Sequence, residues 1–233
     1  MIGSPLATAP LFHLGFVAVT GPVVTTWAIM AVLAGLCWWG SRRLSLRAGL
    51  VQTLLEWLVE IIDSQIRETM RVDPAPYRAF VGTIFIFVFI ANWTSLVPGA
   101  EPPTAALETD AALALLVFLA VIWFGVRSRG LAGYLRSFAA PNVFMIPINL
   151  LETITRTFSL LARLFGNVMS GVFVIGIVLS LAGLIVPIPL MALELLTGAV
   201  QAYIFAVLAM VFISGAVSEG GEAPIENGES NEL

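Results

Sequence analysis

Five long apolar segments dominate the sequence, separated by shorter stretches that contain charged residues, proline and glycine. A straight α-helix crosses a hydrocarbon core of about 30 Å with roughly 20 residues, because each residue adds about 1.5 Å. The segments that we predict as transmembrane helices cover residues 16–40, 78–97, 111–128, 143–185 and 189–217. The last two are longer than one crossing requires, so we expect them to be tilted. The pattern predicts an all-α polytopic membrane protein with five transmembrane helices.

Residues 45–71 show a different pattern, in which charged and apolar side chains follow the period of a helix. One side carries charged residues at steps of three or four, namely Glu56, Glu60, Asp63, Arg67 and Arg71. The other side is apolar and includes Val51, Leu55, Leu58, Val59, Ile62, Ile66 and Met70. This pattern is typical of an amphipathic helix on a membrane surface. Its charged face contacts either solvent or a partner, and we favour solvent.

The distribution of arginine predicts the orientation in the membrane. Trp38 and Trp39 end the first apolar segment just before a loop with Arg42, Arg43 and Arg47. The loop after the second segment contains acids and no arginine, whereas the loop after the third contains Arg127, Arg129 and Arg136. Cytoplasmic loops are enriched in basic residues. We therefore predict an outside N-terminus and a cytoplasmic C-terminus, with residues 1–217 as one membrane domain and 218–233 as an acidic, disordered tail.

The composition excludes several classes of function. Hydrophobic residues make up 59% of the chain and charged residues only 11%, against roughly 25% charged residues in an average soluble domain. The basic residues are all arginines in small groups, which is not the basic face of a nucleic-acid binder. Without lysine there is no GxxxxGK[ST] phosphate loop, and neither HExxH nor GxSxG occurs. We therefore expect no catalytic site, metal or cofactor, and a polytopic membrane enzyme is only an alternative class.

The fourth apolar segment carries a polar stripe on one helix face. Its members recur at steps of three or four and are Asn149, Glu152, Arg156, Ser159, Arg163, Asn167 and Ser170. A charge at the bilayer centre costs about 2.5 to 3.5 kcal/mol even on a permissive scale, so the stripe must face protein or water. Glu152 and Arg156 are four residues apart, and their alternative interpretation is an ion pair within a polar seam between helices. Arg163 has no acid within one turn, which favours a functional role.

The last apolar segment repeats this pattern more sparsely. Glu194, Gly198 and Gln201 lie close to one helix face. A carboxylate inside the membrane can carry a proton or help to bind a cation, and a glutamine can hydrogen-bond an arginine on a facing helix. Two alternatives stay open: Gln201 belongs to a polar seam, and Glu194 is an interfacial acid near Pro189.

Four segments in consistent order resemble one family. They are PLFHLGFVAVTGPVVTTWAIM near the start, PGAEPPTAALETDAALAL, RLFGN and LELLTGAVQAYIF. Together they resemble subunit a of the rotary F-type ATP synthases, in the ion-conducting Fo sector. The resemblance covers residues 10 to 219 and implies one transmembrane helix, an amphipathic helix, a membrane hairpin and two long tilted helices against a ring of c subunits.

The resemblance also implies partners and residue roles. The partners are the c-ring, the b subunits of the peripheral stalk, the remaining synthase subunits and the lipid bilayer of the bacterial plasma (inner) membrane. Arg163 matches the essential arginine that faces the ring carboxylates, and Gln201 is expected opposite it. Ser159, Asn167 and Glu194 are expected to line two aqueous half-channels for H⁺ or Na⁺. A stand-alone secondary ion transporter is the alternative, although no internal repeat is visible.

One position departs from the family pattern. Many members have an acid or a histidine nine residues after the essential arginine, where this chain has Val172. An ionisable residue does stand seven residues before the glutamine, as Glu194. We therefore expect the channel carboxylate to lie on the last helix.

Overall fold

The computed structural model describes residues 12–14, 17–42, 49–96, 102–138, 144–183 and 185–218. An antiparallel hairpin of β1 (Phe12–Leu14) and β2 (Val17–Val19) comes first. Within the described ranges, six α-helices follow: α1 (Gly21–Arg42), α2 (Leu50–Met70), α3 (Arg78–Trp93), α4 (Leu107–Phe138), α5 (Met145–Ala182) and α6 (Pro187–Ser218). Single 3-10 turns lie at Thr94–Leu96 and at Pro103–Ala105, and we call the second one the 103–105 turn.

The start of the first helix was predicted wrongly. α1 begins at Gly21 and not at residue 16, because residues 17–19 pair with residues 12–14 as strand β2. Pro22 explains this boundary. Proline fits the first turn of a helix, but it has no backbone N–H to donate to a carbonyl four residues earlier, so the helix does not continue upstream. The carbonyl of Thr20 accepts hydrogen bonds from the backbone N–H groups of Val23 and Val24.

Four helices in the described part of the chain are long and apolar enough to cross a membrane: α1, α4, α5 and α6. α3 is apolar but has only 16 residues, or about 24 Å at 1.5 Å per residue. The largely helical membrane fold is therefore confirmed, whereas a fifth crossing through α3 stays a prediction. The great length of the last two helices is also confirmed, with 38 residues in α5 and 32 in α6.

α4 extends beyond the predicted range of 111–128 at both ends. Its first turn contains Glu108 and Asp110, and acids in this position interact favourably with the positive end of the helix dipole. The polar start therefore does not interrupt the helix. At Gly130 the backbone leaves the helical region with a φ of 73°, and the resulting bend brings the Tyr134 ring against Gly125.

Two apolar clusters hold the helices together. The main core lies among α3, α4, α5 and α6, and its largest members are Val88, Val117, Leu160, Leu164 and Phe205. The second core packs one face of α2 against α3 and α6 and contains Ile62, Ile66, Met70, Tyr77, Val81, Met210 and Ile213. The predicted amphipathic helix is thus present and buries its apolar face in part against its own chain.

One charged residue of α2 departs from the predicted solvated face. Glu56, Glu60 and Arg67 are exposed as expected, but Asp63 is buried. Its carboxylate accepts hydrogen bonds from the guanidinium of Arg78 at the start of α3. Arg43, Arg47, the predicted helix start at residue 45 and the tail from residue 219 lie outside the described residues.

Candidate functional site

The polar stripe of α5 lies beside the face that packs into the core. Leu160, Leu164 and Val168 are buried against the other helices. The stripe is more accessible: Glu152, Arg156, Ser159, Arg163 and Ser170 are exposed, whereas Asn149 and Asn167 are half-buried. The stripe therefore belongs to a surface of this chain and not to its interior.

Glu152 and Arg156 form an ion pair within α5, as their spacing predicts. Both side chains remain about half exposed, at 52% and 46%. The Arg156 guanidinium also lies 5.4 Å from the ring centre of Phe212 on α6. The charge of Arg156 is thus compensated by contacts inside the chain.

Arg163 differs from Arg156 in its surroundings. No acidic side chain in the described ranges pairs with Arg163. The accessible surface of α5 is otherwise rich in large apolar residues, including Ile154, Phe158, Phe173, Val174 and Ile177. Arg163 therefore presents an uncompensated positive charge within an apolar helix surface.

Glu194 reaches from α6 to α5. A Cβ atom added to Gly171 would lie only 2.6 Å from Oε1 of Glu194, so the carboxylate packs directly on the α5 backbone. This oxygen is buried and has no hydrogen-bond partner among the described residues. The alternative that Glu194 is an interfacial acid is not favoured by this close packing. Since Gly171 precedes Val172, the carboxylate lies next to position 172 of α5.

Gln201 is nearly inaccessible, with 6% of its surface exposed. It lies on α6 next to the core residue Ala202, one turn before Phe205. Its Nε2 atom is buried and has no acceptor among the described residues. No hydrogen bond joins Gln201 to Arg163 in the described part of the chain, so the structure does not bring the two into direct contact.

Asn92 is a buried polar residue that the sequence reasoning missed. It lies near the end of α3, is 5% exposed, and its Nδ2 donates a hydrogen bond of 2.8 Å to the carbonyl of Gly198. Its Oδ1 has no partner among the described residues. Asn92 continues the four-residue spacing of the buried residues Ile84 and Val88 on α3, but this spacing alone does not reveal the contact with Gly198.

No group of three or more histidine, cysteine, aspartate or glutamate side chains in the described ranges is placed to hold a metal ion.

Comparison with known proteins places this site in a family. The family described as ATP synthase A chain matches residues 23–214. The chain belongs to the ATP synthase A chain family. A curated relative from Bradyrhizobium sp., named ATP synthase subunit a 2, is 57% identical and covers 93% of this chain and 97% of its own length. Subunit a of Albidiferax ferrireducens is 46% identical, over 93% of this chain and 94% of its own.

A third relative, ATP synthase subunit a 2 of Pelobacter propionicus, is 46% identical over 90% of this chain and 92% of its own. Membership of the ATP synthase A chain family confirms the resemblance seen in the four sequence segments. Subunit a is part of the Fo ion-channel sector and is not the catalytic subunit. The chain is therefore a non-catalytic, multi-pass membrane protein that functions in a complex with the rest of an F-type ATP synthase.

Proposed function

We propose that this chain is the stator half of the ion channel of a rotary ATP synthase. In this proposal an ion, H⁺ or Na⁺, enters one aqueous half-channel and neutralises a carboxylate on a ring of c subunits. The ion then travels with the ring and leaves through a second half-channel, which couples ion flow to synthesis or hydrolysis of ATP. The b subunits of the peripheral stalk hold the chain in place beside the ring.

The observation that carries this proposal is the position of Arg163. Its guanidinium lies on an exposed surface of α5, among large apolar side chains, without a described acidic partner. Exposure of this surface to lipid would place an uncompensated charge in hydrocarbon, at a cost of about 2.5 to 3.5 kcal/mol or more. A carboxylate-bearing helix of another subunit offers both an apolar surface and the missing negative charge.

An arginine suits this role for electrostatic reasons. Its guanidinium remains charged at any relevant pH, so it does not carry the proton itself. An opposite charge within roughly 4 to 6 Å favours the ionised form of a carboxylate and therefore the release of its cation. In our proposal this fixed charge also blocks direct passage between the half-channels, so the ion must move with the ring.

The remaining polar residues are proposed to line the two half-channels. Ser159 and Asn167 lie one turn on either side of Arg163. Glu194 supplies a carboxylate that packs on α5 at Gly171. This packing supports the proposal that Glu194 replaces the ionisable residue that the family pattern has at position 172, where this chain has valine. Gln201 contributes a buried amide on the facing helix.

We further propose that α3 makes the fifth membrane crossing. The 3-10 turn Thr94–Leu96 follows α3 directly and extends its helical length beyond Trp93. With five crossings, an outside N-terminus gives a cytoplasmic C-terminus. The bacterial origin of the relatives supports a location in the plasma (inner) membrane.

The test replaces Arg163 and, as a matched control, Arg156 of the same helix. Arg163→Ala should abolish ATP synthesis driven by an ion gradient in membrane vesicles, while the subunit still assembles. Arg156→Ala should retain a substantial part of the activity, because the partner of Arg156 belongs to the same helix. Normal coupled synthesis in Arg163→Ala would reject the proposal, and failure to co-purify with a c-ring would favour a stand-alone transporter.

A further inference from the structure

Asp110 is a buried acid that the proposed ion path does not yet use. It lies in the first turn of α4 and has 0% of its surface exposed. Both carboxylate oxygens lack a hydrogen-bond partner among the described residues. An ionised carboxylate without compensation is very costly to bury, so the group must hold a cation or a proton when it is enclosed.

Helix capping does not account for this burial. An acid in the first turn of a helix gains from the helix dipole, and a capping side chain accepts a backbone N–H bond. Asp110 accepts no such bond, and the described basic residues form no ion pair with it. Glu108, two residues earlier in the same turn, is exposed to solvent. The chain therefore offers one exposed and one enclosed acid at the start of α4.

The 103–105 turn supplies a second group of oxygen atoms beside α4. Thr104 in this turn is also 0% exposed, and its hydroxyl has no partner among the described residues. The turn contacts α1, α3, α4 and α5. Thr20, directly before α1, has a second buried and unpartnered hydroxyl. Carboxylate and hydroxyl oxygens are the atoms that hard cations prefer as ligands.

This junction lies at the same end of the helix bundle as Glu194. α3 ends there and α4 begins there, and Asn92 in the last turn of α3 donates a hydrogen bond to Gly198 of α6. Glu194 lies one turn before Gly198, closer to the start of α6. The buried oxygens of Asp110 and Thr104 and the carboxylate of Glu194 therefore lie at the same end of the helix bundle.

We propose that Asp110 and Thr104 form a binding site for the transported monovalent cation, through which the ion reaches or leaves Glu194. The inference rests on the proposed ion-channel function. In the orientation proposed above, the site lies at the outer side of the membrane. Asp110 binds the ion through its carboxylate, either as a covalently attached proton or as Na⁺. The hydroxyl oxygen of Thr104 accepts a hydrogen bond from the protonated carboxyl group in the first case and coordinates Na⁺ in the second.

The first test measures ATP-driven ion uptake by the assembled synthase in inverted membrane vesicles. Asp110→Asn should lower the uptake rate about tenfold, which is the lower end of the loss expected when a group that supports ion binding is removed. Thr104→Val should lower the rate less. Glu108→Gln, the matched control in the same turn, should leave the rate unchanged. Equal rates in Asp110→Asn and Glu108→Gln would overturn the proposal.

A second test uses the unaltered complex and does not depend on folding of a variant. Dicyclohexylcarbodiimide modifies protonated carboxyl groups in apolar surroundings, and mass spectrometry locates the adduct. Asp110 should be modified and Glu108 should not. Protection by Na⁺ at constant pH would identify Na⁺ as the bound ion, whereas protection only by raised pH would identify the proton. Absence of an Asp110 adduct under all these conditions would contradict the site.

Arg163→Ala in the same vesicles separates this inference from the proposed function. If that variant retains coupled transport, the channel function itself is wrong. If it loses coupled transport while Asp110→Asn behaves like Glu108→Gln, only the Asp110 site is wrong.

Discussion

The carboxylate of Glu194 on α6 packs against the backbone of α5. The sequence places valine at position 172, and the structure places the Glu194 carboxylate on the backbone of the preceding Gly171. Only glycine leaves enough room there, since a Cβ would approach within 2.8 Å of the carboxylate carbon. A side chain at position 171 would therefore displace the acid.

Replacement of Glu194 should slow ion flux more than replacement of Val172. Glu194→Gln keeps the shape of the side chain but removes its ability to ionise, whereas Val172→Ala removes only apolar volume from a partly exposed position. Passive ion flux through Fo sectors in liposomes measures the difference. Equal rates in the two variants would remove Glu194 from the ion path.

The polar residues of the site divide into those that the sequence could predict and those that it could not. The stripe with Arg163 was predictable, because charges are rare and costly within an apolar helix. Asn92 and Asp110 were not recognised, because a single polar residue near a helix end also fits an interface with water. Their burial depends on contacts with distant segments, such as Asn92 with Gly198, which no local pattern contains.

At the scale of the helices, α2 is attached to the bundle by an apolar face and by one ion pair. Ile62, Ile66 and Met70 pack into the second core. Asp63 lies beside Ile62 and binds Arg78 of α3. The helical period predicted the apolar face of α2, but the partner of Asp63 could not be read from it because Arg78 lies beyond the end of the helix. α2 is therefore a fixed part of the described fold.

The attachment of α2 should weaken in acid. The hydrogen bonds from Arg78 hold the pKa of Asp63 below its ordinary value of 3.8, although burial opposes this effect. A carboxylate with a lowered pKa stabilises the folded state at pH values above its ordinary pKa. This stabilisation is lost as the pH falls through the lowered pKa. A nitroxide on α2, attached at Ile61→Cys after Cys37→Ser, should gain mobility below pH 3.8.

Two variants check this assignment. Asp63→Asn should give a mobile nitroxide already at neutral pH and should remove the acid-dependent step. Glu60 lies one turn earlier and is exposed, so Glu60→Gln should leave the pH dependence of the nitroxide mobility unchanged. An unchanged acid-dependent step in Asp63→Asn would show that another group controls the attachment.

The whole molecule presents far more apolar surface than its own packing covers. α5 exposes large apolar side chains along most of its length, and α1 exposes Trp27, Met30, Val32, Leu36 and Trp38. Lipid accounts for apolar surface, but it does not account for the charge of Arg163 within such a surface. In the proposed arrangement, another subunit of the synthase covers α5 and supplies a negative charge for Arg163.

The most direct test of this placement is cross-linking from α5. In a Cys37→Ser background, Ser159→Cys or Ser170→Cys is labelled with a photoactivatable maleimide in the assembled synthase. Both positions flank Arg163 on the exposed stripe, so illumination should yield adducts with c subunits. In a separate control with the unmodified chain, labelling of the exposed native Cys37 on α1 should yield no adducts with c subunits. Adducts from Cys37 but not from positions 159 and 170 would contradict a c-ring beside Arg163.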